Sequence, residues 1–267
     1  MSRIEDALAK AAGLHTSSAK GGGKKKKHSK AVGSHPLKER EEGRSVRLSE
    51  ETMVVVNEPF SPMAEEFRKL KEALVKMTKR ERFDNLIAVT SATPGEGKSM
   101  TSINLAATLA REFDHTALLI DADLRRPSVH KYLNLGSKKG LSDCLREGLD
   151  VGDLLVRTEY GKLTVLPAGT LIPNPVEFFT SDAMRQIFLE LKNRYPDRYI
   201  IIDTPPVLPF AETRSIASIA DGVVLVVKEG QPTLDQIQET IEALENKVLG
   251  IVYNGAHLQD RSTYYYY

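Results

Sequence analysis

Leu86-Ile-Ala-Val-Thr90-Ser-Ala92-Thr-Pro-Gly95-Glu-Gly97-Lys98-Ser99-Met-Thr-Ser-Ile-Asn-Leu-Ala-Ala107 is the stretch on which the fold turns. The apolar run 86–90 suits a buried parallel strand, and the residues after Ser99 carry a helical pattern. Between them lies a Gly-rich loop, Ala92 to Ser99. The order strand, loop, helix is what phosphate binding needs. Gly95 and Gly97 let backbone N–H groups converge on an anion, and the new helix aims its positive end at it. On this reading Thr93, Pro94, Gly95, Glu96, Gly97, Lys98, Ser99 and Met100 surround a nucleotide triphosphate. Lys98 would reach the β- and γ-phosphates, and the Ser99 hydroxyl would ligate Mg²⁺. The usual first glycine of such a loop is Ala92 here, which requires a negative φ at that position.

Outward from this unit, short apolar runs recur at Thr116 to Asp121, Leu163 to Leu166, Tyr199 to Asp203, Val223 to Val227 and Leu249 to Tyr253. Helical stretches are expected near 98–112, 175–194, 211–219 and 233–246. This alternation predicts an α/β fold, a three-layer sandwich with a mainly parallel sheet and ligand chemistry at the carboxyl ends of its strands. Upstream, Val54 to Val56 suggests a short strand. Ser61-Pro62 opens a helix, a capping hydroxyl before a proline at the first helical position. That helix should run to about Lys79, with Phe67, Leu70, Leu74 and Met77 on one face.

Two further boxes end apolar strands in carboxylates. In Ala117-Leu-Leu-Ile-Asp121-Ala-Asp123-Leu-Arg125 the two aspartates, two residues apart on extended chain, point to opposite sides. One can face a metal or an attacking hydroxyl while the other orients a neighbour. In Tyr199-Ile-Ile-Ile-Asp203-Thr-Pro-Pro the aspartate is the second metal-binding carboxylate expected of a phosphate-loop NTPase. Asn254, after the last strand, sits where related folds often contact adenine, although Asn254-Gly255 is equally a turn. His115, His130 and His257 lack metal-ligand spacing and are expected at the surface.

The composition is that of an ordinary globular protein: 267 residues, 41% hydrophobic, 27% charged and a formal net charge of +1. A single cysteine, Cys144, excludes an intrachain disulfide and suits a reducing compartment. No apolar run is long enough for a transmembrane helix, and the expectation is a cytoplasmic protein. Three regions follow: 1–50, a short amphipathic helix (residues 2–12) and a basic linker containing Lys24 to Lys27; 51–255, the phosphate-loop domain; and 256–267, a tail. Four of nine tyrosines stand at Tyr264, Tyr265, Tyr266 and Tyr267. A nucleotide site joined to a row of phenols suggests either a kinase that phosphorylates its own tail or an ATPase with an unrelated end. The basic stretch lacks the interleaved aromatics of a nucleic-acid reader, so no nucleic-acid partner is expected.

Taken together, the loop 92–99, the Asp121-x-Asp123-x-Arg125 box, the Ile200 to Asp203 box and the tyrosine tail resemble the bacterial tyrosine kinases (BY-kinases) of exopolysaccharide synthesis and export. Leu166-Pro-Ala-Gly169 with Pro173-Asn-Pro175, and Ala220 to Val227, extend the resemblance over roughly residues 50–267. The related fold of cell-division and chromosome-partitioning ATPases carries a signature lysine five residues before the loop lysine. The shared fold makes a partitioning-type nucleotide switch the alternative, but here that position is Thr93, which leaves the cross-dimer mechanism unsupported. The resemblance implies a stand-alone kinase using ATP and Mg²⁺. Its implied catalytic residues are Lys98, Asp121, Asp123 and Arg125, and its implied metal-binding residues are Ser99, Asp121 and Asp203. In that scheme Asp121 accepts or orients the phenol proton, Asp123 supports the metal shell, and Arg125 holds Asp123 or a phosphate. It also implies trans-phosphorylation of the tail in a ring-like octamer built through a Glu-x-x-Arg-x-x-Arg helix. The counterpart here is Glu65, Arg68 and Lys71, with lysine replacing the last arginine. A separate membrane-bound polysaccharide co-polymerase as activator, recruitment to the inner membrane through it, and a tyrosine phosphatase complete what the resemblance implies.

Overall fold

The apolar runs have no polar face, so as strands they bury both sides. In the computed structural model of the chain, residues 53–79, 83–136, 138–194, 197–245 and 247–256 are described. The basic N-terminal region, His257 and Tyr264 to Tyr267 lie outside them. Seven strands form one sheet: β1 (Leu86–Ser91), β2 (Thr116–Asp121), β3 (Val156–Arg157), β4 (Leu163–Leu166), β5 (Arg198–Asp203), β6 (Gly222–Lys228) and β7 (Val248–Asn254). Their order is β3-β4-β2-β5-β1-β6-β7, parallel throughout except for the antiparallel edge strand β3. The predicted three-layer sandwich is therefore the observed one.

Alternate residues of each central strand feed opposite layers. Ile87, Val89, Leu119, Ile201, Val224 and Val226 face α1 (Val54–Asn57), α2 (Pro62–Thr78) and α3 (Lys98–Leu109). The intervening residues, among them Leu86, Ala88, Leu118, Ile120, Ile200 and Ile202, form a second core. The short helices α4 (Val129–Tyr132), α5 (Leu141–Glu147), α6 (Val151–Leu154) and α7 (Val176–Phe179) precede α8 (Asp182–Arg194). Met184 and Phe188 of α8, and Ile216 of α9 (Glu212–Ile219), belong to that second core; α10 (Leu234–Ala243) precedes β7.

Four local expectations need correction. Val54 to Val56 is a helical turn, although β-branched residues favour strands. Val55 is buried, its N–H donates to Asn104 Oδ1 (3.2 Å), and its carbonyl accepts from Arg111, so contact with α3 satisfies the backbone that a sheet would have. The stretch 175–194 is two helices. The Ser181 hydroxyl accepts from Met184 N (3.2 Å) and restarts the helix after Thr180. On α2 the Ser61 cap holds, with its hydroxyl accepting from Ala64 N (3.1 Å), but the buried face runs through Leu74 to Thr78 rather than to Met77. Thr78 bonds the Tyr199 hydroxyl at 3.0 Å. Nor is His115 a plain surface residue: it stacks on Phe83 and meets Tyr199 edge-on.

Candidate active site

Sheet register brings the three boxes together. Asp203 on β5 pairs with Val89 on β1 and with Asp121 on β2, so the loop leaving β1 emerges beside both aspartates. The loop is held from below and from one side. Glu96 is fully buried: Oε1 accepts from Thr93 N (2.6 Å) and Thr93 Oγ1 (3.0 Å), and Oε2 accepts from Lys228 N (3.1 Å) at the end of β6. Gln231 Nε2 donates to the Pro94 carbonyl at 2.6 Å, and Asn254 Nδ2 donates to the Glu96 carbonyl at 2.8 Å. Asn254, expected at the adenine, thus holds the phosphate loop itself. It also dictates glycine at position 97, where φ is +92° and a Cβ would lie 2.1 Å from Asn254 Nδ2. Ala92 escapes the glycine requirement because its φ is not positive.

The charged groups converge at the start of α3. Lys98 Nζ meets Asp123 Oδ2 at 2.8 Å and the Ser99 hydroxyl at 3.5 Å. Asp203 Oδ1 accepts from Ser102 Oγ at 3.2 Å, while its Oδ2 is buried without a well-formed hydrogen bond among the described residues. Asp121 Oδ1 accepts from Asp123 N (3.2 Å), and its Oδ2 accepts from Ser128 N (3.2 Å) and Val129 N (3.1 Å). Asp121 therefore organises the turn into α4, and Asp123 is the aspartate that touches the loop lysine.

Burial raises the pKa of Asp121 well above the ordinary carboxylate range, and the Asp203 and Asp123 charges add to the effect. Asp203 is also raised, by burial first; Lys98 and the Ser99 and Ser102 hydroxyls offset this only in part. Burial alone would lower the Lys98 ammonium, but Asp203, Asp123 and Asp121 outweigh it and leave Lys98 raised. Three carboxylates thus share one ammonium. A hydroxyl, an unpartnered buried carboxylate oxygen and surplus negative charge are the hard-oxygen environment that suits Mg²⁺.

Arg125 does not hold Asp123. Its Nε donates to Glu212 Oε1 at 2.6 Å, and its guanidinium carbon lies 4.6 Å from the centroid of the Phe210 ring. On α2, Arg68 pairs with Glu65 (2.6 Å) and donates to the Pro59 carbonyl (2.8 Å), while Lys71 pairs with Glu112. These three residues share one face and have partners within the chain. Sequence reasoning missed Ser102, Gln231, Phe210 and Glu212. Ser102 was discoverable, since four residues after Lys98 it lies on the same helix face. The others reach the site through folding alone.

The family profile described as an AAA domain matches residues 84–250. The tyrosine-protein kinase YwqD of Bacillus subtilis (strain 168) is 34% identical over 218 residues, spanning 80% of this chain and 90% of that protein. The kinase domain of Escherichia coli tyrosine kinase ETK has a TM-score of 0.74 at 28% identity, over 85% of this chain and 87% of that one. A ParA family ATPase from Chlorobium tepidum TLS shares the fold alone, with a TM-score of 0.53 at 18% identity over 67% of this chain and 78% of that one.

Proposed function

This chain belongs to the bacterial tyrosine kinase (BY-kinase) family and is an ATP-using tyrosine-protein kinase; from that premise we propose that it phosphorylates Tyr264 to Tyr267 of a neighbouring copy. The observation that carries the reading is the cluster of Lys98, Asp121, Asp123 and Asp203 around the mouth of a phosphate loop.

Phosphoryl transfer needs positioning and charge stabilisation more than covalent chemistry. The amides of residues 95–99 cradle the phosphates, and Lys98 moves from Asp123 onto the β- and γ-oxygens. Ser99 and Asp203 would hold Mg²⁺, which would neutralise charge on the phosphates, and Asp123, once released by Lys98, would support that metal shell. Asp121 accepts or orients the phenol proton. Its raised pKa brings it nearer to a phenol of pKa about 10, and Oδ1, with one accepted bond, keeps a lone pair free.

The setting we propose is capsule or exopolysaccharide export. A separate membrane-bound co-polymerase activates the kinase and recruits it to the inner membrane from the cytoplasm, and a tyrosine phosphatase resets the tail. Glu65, Arg68 and Lys71 contribute to a ring-like octamer by exchanging their internal partners for those of a neighbour. The partitioning-type switch is disfavoured at Thr93, whose amide and hydroxyl both turn inward to Glu96. A short side chain so held does not reach across a dimer.

Mass spectrometry of the C-terminal peptide after incubation with ATP and Mg²⁺ tests this, comparing wild type with Lys98→Met. Phosphate on Tyr264 to Tyr267 in the wild type alone is the expected result. ATP hydrolysis with an unmodified tail, even with an activator added, would overturn it.

A further inference from the structure

The acceptor phenol must approach the γ-phosphate in line with the leaving oxygen, from the side opposite the rest of the nucleotide. On the β6 and β7 side, Gln231 and Asn254 already close over the phosphate loop. Lys98, which meets the γ-phosphate, points the other way, to Asp123 beyond β2. The acceptor therefore enters over β2 and β5.

That entrance carries an arrangement that the chemistry of Lys98 and the three aspartates leaves unused. Arg125, two residues after Asp123, lies against the Phe210 ring at 4.6 Å and is tied to Glu212 at 2.6 Å. The Glu212 side chain is fully buried, whereas Arg125 keeps 29% exposure and is the solvent-facing member of the pair. An unpaired guanidinium here would compete for nucleotide phosphates. Glu212 neutralises its charge and fixes its plane, and a fixed, charge-balanced guanidinium is a stacking surface for an aromatic ring. Phe210 backs that surface on β5's exit loop, and Arg125 supplies it from β2's.

We propose that Arg125 and Phe210 form the platform on which the ring of the acceptor tyrosine lies, with Glu212 as its positioning residue. The inference rests on the kinase reading above and assigns acceptor specificity to this pair. Leucine at position 210 keeps bulk but loses the ring, and tyrosine keeps the ring. Lysine at position 125 keeps the charge but loses the plane.

The test is transfer of labelled phosphate from ATP to full-length Lys98→Met chain as acceptor, with the acceptor concentration varied. Phe210→Leu and Arg125→Lys should each raise the acceptor KM about tenfold. Phe210→Tyr should restore it, and the affinity of Phe210→Leu for a fluorescent ADP analogue should match wild type. An unchanged acceptor KM in both variants overturns the platform while leaving the kinase intact. So does a parallel loss of nucleotide affinity, which would make the pair a structural latch. Absence of transfer by wild type, with the activator also present, removes the tail-kinase reading and the platform with it.

Discussion

Lys98 balances three carboxylates, and Asp121 and Asp203 among them are fully buried. Removing one partner of such a buried group typically costs about 3–5 kcal/mol, because the remaining charge stays buried without compensation. Lys98→Met should therefore lower the melting temperature, by an amount that depends on pH. Its folded pKa is raised, so in wild type its contribution is fully present below the unfolded value and is lost only as pH rises through the folded value in strong alkali. The variant behaves oppositely. The raised pKa values of Asp121 and Asp203 rise further without the ammonium, so these groups bind protons in the folded state as pH falls. The deficit in melting temperature against wild type should accordingly shrink from pH 8 to pH 5. A deficit independent of pH would mean that the carboxylates do not feel Lys98. At this scale the site was largely legible, because Lys98, Ser99, Asp121, Asp123 and Asp203 sit at fixed offsets from strand ends. What each carboxylate touches was not, since the spacing in Asp121-x-Asp123 puts them on opposite sides without saying which side holds the lysine.

Between elements, the phosphate loop is joined to the sheet by a side chain that its motif leaves open. Glu96 accepts two bonds from Thr93 and one from Lys228, so truncation leaves a buried void beneath the loop and partly buried donors at both ends of the link. Glu96→Ala should destabilise the protein by about 1–3 kcal/mol in urea unfolding, since the partly exposed donors regain some of their bonds from water. Glu96→Gln, which keeps one carbonyl oxygen and the shape, should lose less. Equal losses would show that shape rather than accepted bonds secures the loop. Elements with their own local signal were legible: Ser61-Pro62 starts α2, and the runs free of polar residues are strands. The failures came where a neighbour decides. Val54 to Val56 reads as strand until α3 offers Asn104 to its backbone, and the break before Asp182 depends on a single serine cap.

Across the whole molecule, the proposed ring and tail act through charge. Each phosphotyrosine adds about −1.5 to −2 charges at neutral pH, and several on one tail repel both one another and the acidic site. The phosphorylated protein should therefore elute later in size exclusion than the dephosphorylated protein, as smaller assemblies; identical elution would count against this. The bonds of Lys71 to Glu112 and of Arg68 to Glu65 are exposed enough to exchange at modest cost, which is what ring formation through α2 requires. By itself the sequence determined the α/β class, the phosphate loop and the identity of its charged partners. Periodicity, glycine and strand-end carboxylates are local signals that survive without coordinates. Only the tertiary structure decided that Asn254 locks Gly97, that Glu96 reaches β6, and that Arg125 leaves Asp123 for Glu212 and Phe210. These contacts join residues far apart along the chain, up to 158 positions between Glu96 and Asn254. Strand order in the sheet, which no local pattern encodes, is what brings them together.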